Sequence, residues 1–280
     1  MTAQGTFVTV FARTDLGKVR TNNEDAFVVS DLMGSAPIHA MTSAISLEVR
    51  DRGILLAVSD GMGGMQAGEV ASALVLQALR LGMSTVNASS AEVALRASVE
   101  GANQQVWNTA RETGRTGMGA TLTAVLFYAG YAYVAEIGDS RAYVLRGPRL
   151  VQLTRDQSYV QNLVDSGLLT RQEADTFEYK NVILQAMGLK PDVVVALNRL
   201  ALHRHDRYLL CSDGLSGKLH DEEMQDIVLA AATLESACAK LVESALDRGG
   251  EDNVTVVLAQ VEGEGLPLLT DGELMSLETV

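Results

Sequence analysis

Nine short runs rich in β-branched and aromatic residues punctuate this 280-residue sequence, at 7–11, 26–29, 54–58, 121–128, 131–137, 142–145, 193–197, 208–211 and 254–261. They cluster instead of alternating one-for-one with helices, and the helical patterns come in pairs. That order disfavours a regular parallel α/β sheet and points to packed antiparallel sheets with helices outside. Ala129-Gly130, between two of the runs, reads as a tight hairpin in which glycine supplies the positive φ.

The helices show as apolar stripes with end signals. The segment 69–81 carries Val70, Ala73, Leu74 and Leu81 on one face and is expected to stop at Gly82. Ser89 with Glu92 reads as a capping box for a helix through Arg111, closed by Gly114, and Thr170 with Glu173 repeats that signature. The segment 234–248 aligns Cys238, Leu241, Val242 and Ala245, which makes Cys238 a small core hydrophobe instead of a reactive thiol. Residues 34–50 have no pattern and read as an insertion or long loop. Residues 263–280 read as a loose acidic tail, and 156–188 as a helical flap between strands.

Composition narrows the function. Hydrophobic residues at 47% and charged residues at 20% describe a globular chain, not a disordered one. With 22 basic against 35 acidic residues the net charge is −13, which argues against nucleic acid and suits a divalent cation or a basic protein segment. Two cysteines, Cys211 and Cys238, cannot frame a disulfide scaffold or a Cys-rich zinc site. The start lacks a signal-peptide pattern, and the longest apolar span, 120–135, is broken by Thr121, Thr123 and Gly130. A cytoplasmic protein without membrane segments is expected.

The chemistry concentrates in aspartates at the ends of apolar runs. Asp60 closes one run and is followed by Gly61, Asp213 closes another and is followed by Gly214, and Asp25 and Asp252 each open a run. A lone Asp-Gly is ordinarily a turn. Four such acids at strand ends instead suggest convergence on one rim, where a cation must offset their repulsion. Oxygen donors without His or Cys suit Mg²⁺ or Mn²⁺. Arg20, otherwise a surface cation, becomes a candidate phosphate clamp beside such a cluster.

Competing motifs fail. The glycine-rich turn at Gly61-Met62-Gly63 has Gln66 where a dinucleotide fingerprint needs glycine. Gly138-Asp139-Ser140-Arg141-Ala142 ends in alanine and runs into a strand, unlike a nucleophile elbow. Cys211 lacks the downstream arginine of a cysteine-dependent phosphatase loop, and His39, His203, His205 and His220 have no triad or zinc spacing.

The segments Thr14-Asp15-Leu16-Gly17-Lys18-Val19-Arg20, Asn23-Glu24-Asp25 and Asp60-Gly61-Met62-Gly63-Gly64 resemble the opening of the metal-dependent type 2C (PPM) Ser/Thr protein phosphatases of compact bacterial type. Met118-Gly119-Ala120-Thr121-Leu122, Ile137-Gly138-Asp139-Ser140-Arg141, Leu153-Thr154-Arg155-Asp156, Cys211-Ser212-Asp213-Gly214-Leu215 and Asp252-Asn253-Val254-Thr255 continue it in order, over roughly 5–261.

The resemblance implies an α+β fold, a four-layer α-β-β-α sandwich of two antiparallel sheets flanked by helix pairs. It places a phosphatase domain at 1–262, with the insertion at about 34–50, the flap at about 156–188 and the acidic tail at 263–280. It further implies a two-metal centre holding Mn²⁺ or Mg²⁺, with Asp60 bridging both ions, Asp213 and Asp252 on one, and the Gly61 carbonyl on the other. Glu24 and Asp25 would stand behind them, Arg20 would take the substrate phosphate, and Asp139 would help hold a weaker third ion. The implied activity is hydrolysis of phosphoserine and phosphothreonine in phosphoproteins, Ser/Thr kinases among them, by a water activated between the ions. The alternative is a silent scaffold that binds phosphoproteins or regulates a kinase. Where some relatives carry a histidine proton donor this chain has Met62, so a bound water would have to protonate the leaving alkoxide.

Overall fold

The computed structural model describes residues 5–34, 36–63, 67–85, 90–115, 117–270 and 275–280. Along the chain, β1 (Phe7–Asp15), β2 (Asp25–Asp31), β3 (Ile45–Glu48) and β4 (Ile54–Met62) precede a helix pair, α1 (Ala67–Thr85) and α2 (Ala91–Glu112). Then come β5 (Gly119–Ala120), β6 (Leu122–Tyr128), β7 (Tyr131–Ile137), β8 (Arg141–Arg146) and β9 (Arg149–Gln152). Two short helices, α3 (Tyr159–Asp165) and α4 (Arg171–Asp175), lie in the connection to β10 (Ala196–Ala201) and β11 (Arg207–Cys211). The remaining elements are α5 (Asp213–Ser216), α6 (Asp221–Ala230), α7 (Leu234–Asp247), β12 (Val254–Glu262) and β13 (Glu278–Thr279).

One sheet runs β3-β1-β12-β11-β8-β9, and the other runs β13-β10-β7-β6-β4-β2 with β5 beside β4. The side-chain period of two explains how they stack. In β4, Ile54, Leu56 and Val58 point into the layer between the sheets, where they meet Val10, Tyr208 and Val257. Leu55 and Ala57 point the other way, onto Val75, Leu79, Val99 and Val106 of α1 and α2. The sequence of β4 is apolar on both faces because both faces are covered. On the opposite side Met224, Cys238, Leu241 and Val242 of α6 and α7 pack on Leu209, Val256 and Leu258. The result is the expected four-layer α-β-β-α sandwich.

The Ala129-Gly130 hairpin has φ of 48° and 82°, both positive, as a type I′ turn requires. Cys238 is fully buried, and the Thr170–Glu173 capping box forms. Four expectations need correction. Gly82 does not end α1, because the helix runs on to Thr85; a Cβ there would meet that of Ser98 in α2 at 2.9 Å, so glycine serves close helix packing. Ser89 lies outside the described residues, and the cap of α2 is Ser90, whose side chain accepts the Val93 N–H. Segment 34–50 holds β3, which pairs with β1 from Phe7↔Glu48 to Val10↔Ile45. Nor is the acidic tail loose at its end, since Asn198↔Thr279 and Arg199↔Glu278 pair on β10 and Arg199 bonds Glu278 at 2.7 Å.

Candidate metal centre

The two sheets each bring acids to the same rim of the sandwich. In one, antiparallel pairing of β2 with β4 sets Asp25 directly opposite Asp60. In the other, β11 and β12 are neighbours, with Cys211 opposite Val256, so Asp213 just after β11 and Asp252 just before β12 emerge side by side. Ser212 ties the halves together: its hydroxyl donates to Asp25 Oδ2 at 2.7 Å and accepts the Thr255 N–H at 3.0 Å.

Glycine permits the close approach at both Asp-Gly turns. A Cβ on Gly61 would fall 2.0 Å from the Gly68 carbonyl oxygen, and one on Gly214 would fall 1.9 Å from that of Asn253. Asn253 holds the Arg20 loop in place, accepting the Glu24 N–H at 2.8 Å and donating to the carbonyls of Leu16 at 2.8 Å and Asn22 at 3.1 Å. Arg20, Glu24, Asp60, Gly61, Asp213 and Asp252 then line one cleft of about 860 Å³, with Met62 and Glu69 on its wall and Asn181 and Ile183 contributed by the flap.

The electrostatics are those of gathered like charges. Burial, then Asp25, Asp213, Asp139 and Asp252, push the Asp60 carboxyl well above the usual range. Asp25 and Asp139 are pushed up chiefly by burial and further by Asp213. Burial and then Asp252 raise Asp213. Glu24 is raised by burial first, with Asp252 and Glu69 adding to it against Arg20.

Among the described residues no three His, Cys, Asp or Glu side chains converge, as they stand, around a point that could hold an ion. Asp252 is instead paired with Arg20 Nη2 at 2.8 Å. The donor set nevertheless fits hard divalent cations. One carboxylate oxygen of each of Asp25, Asp139 and Asp213 is buried without a hydrogen-bond partner, and the donors are all oxygens.

The structure places Asp60, Asp213 and Asp252 on one cleft with Glu24 and Gly61, and sets Asp25 opposite Asp60 on β2. Arg20 reaches the cleft, though its guanidinium bonds Asp252 in this state. Asp139 stands in the turn after β7, buried and within the field of Asp213, and does not pair with Arg141. Arg141 grips Asp156 at the flap entrance instead, with bonds of 2.8, 3.1 and 2.7 Å. Sequence reasoning missed the supporting hydroxyls and amides, Thr121, Ser140, Ser212 and Asn253. All four lie inside the quoted motifs, Ser140, Ser212 and Asn253 next to an acid, but their bonds cross between distant segments.

Comparison with known proteins places the chain in one family. The model of the family described as Protein phosphatase 2C matches residues 43–259. The Serine/threonine protein phosphatase PstP of Mycobacterium tuberculosis is 39% identical over 89% of this chain, which spans only 44% of that relative's length. The Serine/threonine phosphatase stp of Listeria welshimeri is 33% identical over 89% of this chain and 94% of its own. The crystal structure of the catalytic domain of PstP in complex with two manganese ions superposes with a TM-score of 0.75 at 37% identity, covering 92% of this chain and 99% of that one.

Proposed function

This chain belongs to the protein phosphatase 2C family, and we propose that it hydrolyses phosphoserine and phosphothreonine in phosphoproteins, Ser/Thr kinases among them, using bound Mn²⁺ or Mg²⁺. The observation that carries this is the meeting of Asp60 from one sheet with Asp213 and Asp252 from the other, beside Arg20 in one cleft, with Asp25 paired opposite Asp60. Asp60, the Gly61 carbonyl, Asp213 and Asp252 would hold two ions, and Asp139 a weaker third. At that third site Gly217 stands where some relatives supply another carboxylate, and fewer charged ligands mean weaker binding. The chemistry a bound pair of divalent cations supplies is water activation at neutral pH and neutralisation of phosphoryl charge.

The chain's own side chains do the rest. Asp25, held by Ser212, adds negative charge behind Asp60 and keeps the cluster attractive to cations. Arg20 can exchange its bond to Asp252 for a bidentate pair with the substrate phosphate. Among the described residues that line the cleft there is no histidine, so water in the cleft would have to protonate the departing alkoxide. Arg141–Asp156 anchors the flap entrance, and Asn181 and Ile183 bring the flap to the substrate.

The test is Mn²⁺-dependent hydrolysis of p-nitrophenyl phosphate and a phosphothreonine peptide by the purified chain. Turnover of both, abolished by a chelator, is expected. Phosphopeptide binding without any turnover would overturn the reading in favour of a silent phosphoprotein-binding scaffold.

A further inference from the structure

Holding cations and phosphate occupies Arg20, Asp60, Asp213 and Asp252 but leaves Glu69 on the cleft wall without a task. Glu69 sits in the first turn of α1, where a carboxylate also suits the helix dipole. Its Oε2 accepts a hydrogen bond from Asn22 Nδ2 at 3.2 Å, which orients it from the same loop that carries Arg20. It is exposed, and among the described residues no basic side chain pairs with it. Met62 and, from the flap, Asn181 and Ile183 share the cleft lining with it.

A phosphate seated against Arg20 and the rim acids therefore leaves the flanking residues of a peptide to pass between the flap and Glu69. The phosphate and the cations balance the rim acids, whereas the Glu69 carboxylate remains uncompensated and faces the incoming chain. An acidic flank is repelled there, and an arginine or lysine finds a partner. The net charge of −13 favours encounter with the same class of peptide.

We propose that Glu69, oriented by Asn22, is a specificity-determining residue that selects phosphopeptides carrying arginine or lysine beside the phosphorylated residue. This inference rests on the phosphatase reading above. Its test is a phosphothreonine peptide series in which arginine, alanine or glutamate is walked along both flanks, with p-nitrophenyl phosphate measured alongside. At low salt the wild-type chain should favour arginine over alanine by about fivefold in kcat/KM at the position facing Glu69, mainly through KM, as expected of a solvent-facing ion pair. Glu69→Gln should bring that ratio close to one, and Glu69→Lys should reverse it in favour of glutamate. No hydrolysis of p-nitrophenyl phosphate in Mn²⁺ would sink the phosphatase reading itself. Normal hydrolysis of it, with a flat wild-type peptide series or with the preference unchanged in both variants, would overturn the role of Glu69 alone.

Discussion

The hydroxyl of Thr121 accepts the main-chain N–H of Asp60 at 2.9 Å, and the Thr121 N–H returns a bond to the Asp60 carbonyl at 2.8 Å. The same hydroxyl lies 2.7 Å from that of Ser140, next to Asp139, and Ser59 donates to the Thr121 carbonyl at 2.6 Å. One buried threonine therefore locks the Asp60 turn to the Asp139 turn. Thr121→Val keeps the shape but strands the Asp60 N–H and the Ser140 hydroxyl, at a cost of about 1–3 kcal/mol. We expect a lower melting temperature and weaker Mn²⁺ binding by calorimetry, with Thr121→Ser close to wild type. Unchanged melting and unchanged titration in Thr121→Val would refute the brace.

Asp60 should trade stability against activity. Its carboxyl is raised by burial and then by four neighbouring aspartates. A folded-state pKa above the unfolded one gives stability that is complete below the unfolded value and lost as pH rises through the folded value. Chelator-treated Asp60→Asn should therefore melt higher than chelator-treated wild type at about pH 7.5. The gap should close near pH 3–4, where both side chains are neutral. The variant should hydrolyse nothing measurable in saturating Mn²⁺. Substantial turnover would remove Asp60 from the centre, and a lower melting temperature at neutral pH would contradict the charge argument.

Glu136 offers the same logic away from the rim. It is 2% exposed on β7, its Oε2 accepts the Arg155 N–H at 2.9 Å, and its Oε1 has no partner. Burial pushes it up to about 9, with Asp156 and Asp139 adding to that and Arg141 opposing. The carboxyl is neutral in the folded chain at pH 7. Stability attached to it is complete below about 4.5 and drains away as pH rises to about 9. Glu136→Gln keeps the acceptor for Arg155 and removes the titration. Its urea midpoint should match wild type near pH 4 and exceed it increasingly from pH 6 to 9. A pH-independent difference between the two would show that Glu136 does not titrate in this window.

What the sequence made legible follows from how local each signal is. Aspartates at the ends of apolar runs are local, and so are the Thr170–Glu173 box and the Ala129-Gly130 turn. The pairing that sets Asp25 against Asp60 is not local: the strand-end pattern suggests a shared rim, not which strands lie side by side. The four residues of β3 carry no recognisable period of their own and become a strand because the edge of β1 is there to receive them. Gly82 shows the converse, since a glycine in a helical stripe reads as a stop until the neighbouring Ser98 is known. The supporting bonds of Ser212 and Asn253 span 187 and 229 residues to Asp25 and Glu24, beyond the reach of any spacing rule.

Gly214 provides the most demanding steric test. It follows Asp213 directly, and a Cβ there would lie 1.9 Å from the Asn253 carbonyl oxygen and 2.9 Å from its carbon. Neither atom can swing aside as a flexible side chain could. Asn253 is itself tied to Leu16, Asn22 and Glu24, so relief must come from separating the Asp213 turn from the Asp252 loop. Overpacking of this kind costs about 1–3 kcal/mol or more. Gly214→Ala should therefore lower the urea midpoint, weaken Mn²⁺ binding and cut turnover together, because Asp213 and Asp252 no longer face the cleft at the same separation. Gly101 supplies the control: it lies inside α2, with nothing within 4 Å of its would-be Cβ. Gly101→Ala should raise stability by roughly 0.5–1 kcal/mol through helix propensity alone and leave metal binding untouched. If Gly214→Ala bound Mn²⁺ like wild type while only its urea midpoint fell, the close approach would serve the fold and not the spacing of the two acids.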